Sequence, residues 1–94
     1  MEETTQLKAL KKAVLLLGGK RGTANALNSV KVDGFEFDQI KEHAVHHWIR
    51  NKGQCPSFDL IAIRLEFATD GDITRYQLRP DVYGFNSDQL NISN

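Results

Sequence analysis

Three histidines, His43, His46 and His47, fall in one short stretch beside Lys41, Glu42 and Arg50. Imidazole, ammonium and guanidinium groups at this density can do two kinds of chemistry. They can hold a metal ion, or they can donate hydrogen bonds to phosphates and base edges. His43 and His47 are four residues apart, so on a helix both can face one ion. Zinc would still need a third and a fourth ligand, for which only Glu42, His46 and Cys55 are at hand. There is no cysteine pair and no His-Glu-x-x-His pattern. No metal and no other cofactor is therefore expected, and two readings of the face stay open: a solvated charged surface, or one that donates to the phosphates and base edges of double-stranded DNA.

The element that must carry these groups is a helix over 38–51. Ile40, Ala44, Val45, Trp48 and Ile49 recur at the spacing of a one-sided helix, and the polar groups lie opposite. Asp38 is expected to cap its start and Gly53 to close its end. Trp48 is the expected core anchor. Before it, a helix over 5–17 is predicted, capped by Thr4 or Thr5, with Leu7, Leu10, Val14 and Leu17 inward and Ala13 beside them. Gly18-Gly19 should end that helix, because glycine takes positive φ without steric cost. A short helix over 20–28 follows, weakened by Gly22. Lys20 and Arg21 stand at its start, which disfavours the helix but favours a bound anion such as phosphate.

Residues 29–37 interrupt the helices. Val30 and Val32, then Asp33-Gly34, then Phe35 and Phe37 leave two readings open. One is a small β-hairpin turning at Asp-Gly. The other is an ordered loop tucked onto the core by its two phenylalanines. After the turn at 53–56, Ser57 is expected to cap a helix over 58–68 with Phe58, Ile61, Ala62, Leu65 and Ala68 inward and Leu60, Ile63 and Phe67 beside them. Asp70-Gly71 should end it. Thr74 should cap a brief turn that Pro80 stops. The predicted domain is 1–85, with a flexible tail over 86–94. The fold class is mainly α, with four or five helices. Two short helices followed by a longer one, with a basic start, suggest a helix-turn-helix unit.

Composition limits the alternatives. Ninety-four residues fit one small domain. The formal net charge is zero, which argues against a DNA binder. The charge is segregated, however: the segment from Lys8 to Lys31 holds six basic residues and no acidic one. Cys55 is the only cysteine, so no intramolecular disulfide can form, and as a lone thiol in a turn it reads as structural. The longest apolar run, Ala13 to Leu17, is too short for a membrane span, and no secretory pattern opens the chain. A cytoplasmic location, at the bacterial or host-cell nucleoid, is expected. No glycine-rich phosphate loop, paired carboxylates or base-activated nucleophile is evident, so an enzyme is not expected.

Several segments together resemble a known family. They are Val45-His46-His47-Trp48-Ile49, then Gly53 and Pro56, then Phe67-Ala68-Thr69, then Thr74 to Tyr83 with Leu78-Arg79-Pro80-Asp81 at its centre. With the double glycine and Ala24-Asn25-Ala26-Leu27 upstream, the chain resembles the YdaS/Cro-type phage repressors from about Leu7 to Tyr83. The Leu-Arg-Pro-Asp segment is the most specific piece. The resemblance implies a lambda-repressor-like helix-turn-helix domain of prophage or phage origin. It implies a transcriptional regulator, often a homodimer, with some members acting as antitoxins beside a toxin gene. The chain departs from the family at SVKVDGFEFDQI, inserted between Asn28 and Lys41, where the family has a tight turn.

By family position, Lys41, Glu42, His43, His46 and His47 would read bases in the major groove. Arg50 and Lys52 would meet phosphates. Lys20, Arg21, Thr23 and Asn25, on the helix that crosses the backbone, would meet phosphates too. Each set also has a plain reading as solvated surface. Arg75, Arg79 and Asp81 are expected to form an ion-pair cluster that either packs the fold or contacts a dimer partner. The competing function is a protein-binding module, for a toxin or another regulator, that uses Val82, Tyr83, Phe85, Leu90 and Ile92.

Overall fold

The computed structural model describes residues 4–57 and 59–84. Six helices follow in order: α1 Thr5–Leu16, α2 Gly19–Ser29, α3 Glu42–Arg50, α4 Ile61–Ala68, α5 Arg75–Leu78 and α6 Pro80–Tyr83. The fold is mainly α, as expected, with one or two short helices more than the sequence indicates. Among the described residues no helix is long and apolar enough to cross a membrane.

Local signals set the first two elements. The Thr4 side chain accepts from the Leu7 amide at 3.0 Å and starts α1. Ala9, Leu10, Ala13 and Val14 are buried, while Leu7 and Leu17 are only half-buried. Gly18 and Gly19 both take positive φ and turn the chain into α2. Gly22 is more than a weak point in that helix. A methyl group there would stand 2.0 Å from the Leu17 carbonyl oxygen, so only glycine lets α2 pass this close to the end of α1.

α1 packs against α2 and α5, α2 against α3 and α4, and α4 against α5. Leu10, Leu27, Val45, Ile61, Leu65, Ile73 and Leu78 form the centre, and Trp48 closes it from α3. Trp48 is therefore the anchor the spacing predicts. At the end of α3, Gly53 donates to the Trp48 carbonyl at 3.0 Å. Lys52, at φ 60, is the left-handed residue that precedes it.

The other boundaries differ from expectation. α3 starts at Glu42 rather than 38, and Lys41, not Asp38, is its N-cap, without a side-chain hydrogen bond. The reason lies outside the segment: the side chain of Asn28 holds both peptide groups of Ile40 and keeps the chain extended there. α4 starts at Ile61 rather than 58, and Ser57 does not cap it. Asp59 and Leu60 both take positive φ, so the helix can begin only after them. Pro80 stops α5 after Leu78, as expected, and in addition opens α6 at its first position, where its missing N–H costs nothing. Thr74 caps α5 as predicted, and Gln77 completes a capping box with it. Asp70-Gly71 ends α4, with the Gly71 amide donating to the Glu66 carbonyl at 2.9 Å.

No hairpin forms over 29–37, because no strand is present among the described residues. A single turn closes where the Phe35 amide donates to the Val32 carbonyl at 3.0 Å. The ordered-loop reading holds for one phenylalanine of the two. Phe37 is half-buried against Arg64, whereas Phe35 stacks on Phe37 and is 55 % exposed. The expected inward position of Phe58 and the expected tail over 86–94 lie outside the described residues. So do Phe85, Leu90 and Ile92.

Candidate nucleic-acid interface

α3 divides into two faces. Val45 and Trp48 are buried, and Ala44 and Ile49 are half-buried. Glu42, His43, His46, His47 and Arg50 are exposed, as is the cap residue Lys41. The loop over 30–40 does not cover the imidazoles. Its Phe37 instead meets Arg64 of α4.

Lys20, at the start of α2, reaches the exposed face of α3. Its Nζ donates to Nδ1 of His46 at 2.7 Å. An ammonium group has no acceptor, so Nδ1 must offer a lone pair, and the outward nitrogen of the ring is then the donor. Lys20, Lys41, Glu42, His43 and His46 line one open depression between the first turns of α2 and α3. The first turns of both helices border this depression, and helix N-termini favour an anion. His47 lies elsewhere: with Trp48, Asn51, Gln54 and Arg79 it lines a second depression, beside the 53–57 turn. The five expected base-reading residues are thus split, four on one side and His47 on the other.

Of the expected phosphate contacts, Arg21, Asn25, Arg50 and Lys52 are exposed. Thr23 is not available. It is fully buried, and its hydroxyl donates to the Gly19 carbonyl at 2.8 Å. On a helix of small residues, this side chain faces inward and back-bonds within its own helix.

Two residues that matter were not singled out by sequence. Arg64 is only 1 % exposed, in the middle of an otherwise apolar face. Its Nη2 donates to the Leu27 carbonyl at 2.9 Å and its Nη1 to the Asp59 carbonyl at 3.3 Å, and its guanidinium lies 4.0 Å over the Phe37 ring. Burial pulls its pKa down from the ordinary arginine value, partly opposed by Asp59. Asn28 is the second, through its contacts with Ile40. Neither carries a local sequence signal, because the Leu27 carbonyl that Arg64 reaches and the Ile40 peptide groups that Asn28 holds lie 37 and 12 residues away.

The C-terminal charges resolve into two separate pairs. Arg79 pairs with Asp81 through Nε at 2.9 Å and Nη2 at 2.6 Å, and its Nη1 donates to the Cys55 carbonyl. Arg75 instead binds Glu66 at 2.8 Å. The packing role therefore accounts for these residues. Asp81 also accepts from Gln6 at 3.3 Å, which ties α6 to α1. The hydrogen bond from Arg79 holds the Asp81 carboxyl below its ordinary value and raises Arg79. Burial pushes the Cys55 thiol up to about 11, so it stays protonated and inert at neutral pH. Among the described residues no group of three or more His, Cys, Asp or Glu is placed to hold a metal ion.

Residues 36–86 match the family described as bacterial toxin YdaS, which is more than half of the chain. The chain belongs to that family. The match takes in α3 to α6 and the whole Leu78-Arg79-Pro80-Asp81 segment, and leaves α1 and α2 outside. No curated protein and no solved structure matches the chain. YdaS membership supports a small regulatory or toxin–antitoxin protein.

Proposed function

We propose that this YdaS-family chain is a sequence-specific regulator that binds double-stranded DNA, a Cro-like repressor with α3 in the major groove. One observation carries the reading: Lys41, His43 and His46 stand open on α3 beside Lys20 of α2, while Val45 and Trp48 fix the opposite face in the core. Lys41 can donate to guanine O6 and N7, His46 can donate through its outward nitrogen, and Glu42 can accept from cytosine N4. Arg21 and Asn25 on α2, and Arg50 and Lys52 at the far end of α3, meet phosphates. A homodimer on paired half-sites is part of this proposal.

The test is fluorescence anisotropy with a duplex from the DNA flanking the gene and a random duplex of equal length. The flanking duplex should bind with a Kd near ~10⁻⁸ M at physiological salt, at least ~10³-fold more tightly than the random one. A ratio near one overturns the reading.

A second reading, a protein-binding toxin or antitoxin, is favoured by the match to a family described as a bacterial toxin and by the zero net charge. Val82, 46 % exposed on α6, would take part. Expression that arrests growth equally in the wild type and in a Lys41→Ala, His46→Ala variant would promote it, because toxicity would then not need the reading face.

A further inference from the structure

In a helix-turn-helix unit, a tight turn fixes the angle between the reading helix and the helix before it. Here α2 ends at Ser29 and α3 begins at Glu42. A connection this long does not hold an angle through its own stiffness. Val45 and Trp48 hold the buried face of α3 in the core, but something else must fix where that helix starts and how it is angled to α2.

Asn28, in the last turn of α2, has the geometry for it. Its Nδ2 donates to the Ile40 carbonyl at 2.9 Å, and its Oδ1 accepts from the Ile40 amide at 2.8 Å. One primary amide thus engages both peptide groups of a single residue. Two bonds at one point fix orientation as well as distance. The next residue, Lys41, is the N-cap of α3. The Ile40 side chain also packs against the core, so the clamp is supported from behind. The loop tip has no comparable hold. Its turn closes on itself, and Phe35 is largely exposed.

We propose that Asn28 is the positioning residue that sets the angle between α2 and α3, and that the tip of the inserted loop is passive. Asn28 takes over the task that the tight turn performs in a shorter unit. It acts on DNA reading through Ile40 and Lys41 without touching DNA. In this role it rests on the DNA-binding reading above, but the interhelix geometry can be tested without DNA.

The experiment compares Asn28→Asp with an insertion of two glycines between Asp33 and Gly34. The aspartate keeps the size and the acceptor, but sets a carboxylate oxygen against the Ile40 carbonyl. Spin labels at Asn25→Cys on α2 and Arg50→Cys on α3 report the interhelix distance by pulsed electron resonance. Binding to flanking and random duplexes is measured on the unlabelled variants. The glycine insertion should leave the distance distribution sharp and the preference for flanking DNA within about twofold of wild type. Asn28→Asp should shift or broaden the distribution and cut that preference by about tenfold or more, since it leaves a carbonyl unpaired. Should Asn28→Asp unfold, Asn28→Ala is read in its place, and unfolding of both makes Asn28 a stability residue and overturns the proposal. An unchanged distribution in the Asn28 variant, or an equal broadening by the insertion, also overturns it. If the distances behave as expected but the wild type shows no preference for flanking DNA, the clamp stands and the DNA reading falls.

Discussion

Asp81 shows how much one exposed carboxylate can do when a buried partner meets it. Arg79 is nearly buried, and Asp81 supplies the counter-charge that its guanidinium needs. The pair also sits where the 53–57 turn, α6 and α1 converge, through Cys55, Arg79, Asp81 and Gln6. The folded carboxyl is held below its ordinary value of 3.8. Such a group adds stability above the unfolded value, and that stability is lost as pH falls below 3.8 toward the folded one. Urea denaturation between pH 7 and pH 2 should therefore show a steeper acid limb in the wild type than in Asp81→Asn. Equal limbs would mean that Arg79 and Asp81 are close without being energetically coupled. The pairing was half legible in the sequence. Arg79 and Asp81 were expected together, but Arg75 finds Glu66, a partner on another helix that spacing does not reveal.

At the scale of elements, the boundaries that were legible are those with local causes. Thr4, the glycine pair at 18–19, Asp70-Gly71 and Thr74 with Gln77 each satisfy or break a helix end with atoms a few residues away. The boundaries that were not legible have distant causes. Asp38 is a good cap by type, yet Asn28 draws Ile40 out of any helix. Leu60 is an unlikely residue for positive φ, yet it takes that conformation just before α4. Gly53 combines both kinds of cause. Its positive φ closes α3, as the sequence predicts, but a methyl group there would also stand 2.2 Å from the Leu7 Cα. Because the obstacle is backbone, no side chain can swing away. Gly53→Ala should therefore cost more than the ~1 kcal/mol of an open left-handed site. Thermal unfolding checks this against Gly34→Ala, where φ is also positive but nothing stands within 4 Å. A similar loss of Tm in both would show that α1 yields at Leu7 and that the close approach matters little.

For the whole molecule, the zero net charge hides how the charge is placed. The exposed depression beside α3 joins Lys20 and Lys41 at the start of two helices, with Arg21 next to Lys20 in the chain, while Asp70, Asp72 and Asp81 sit in the C-terminal half. At 0.1 M salt, charges more than about 10 Å away are largely screened, so a bound phosphate feels the local patch and not the total. A DNA complex should then show the salt dependence of a basic protein. Each phosphate contact removed should lower the slope of log K against log salt by about 0.9. Arg21→Ala removes an exposed cation from α2 and should lower the slope by that amount on flanking and random DNA alike. Thr23→Val is the matched control two residues away. The sequence offered Thr23 as a phosphate contact by its type, but its hydroxyl is spent inside the helix, so this change should lower thermal stability and leave the slope alone. If Arg21→Ala leaves the slope unchanged, α2 does not lie along the phosphate backbone. The basic start of that helix would then be free for a protein partner, and the toxin–antitoxin reading would gain what the regulator reading loses.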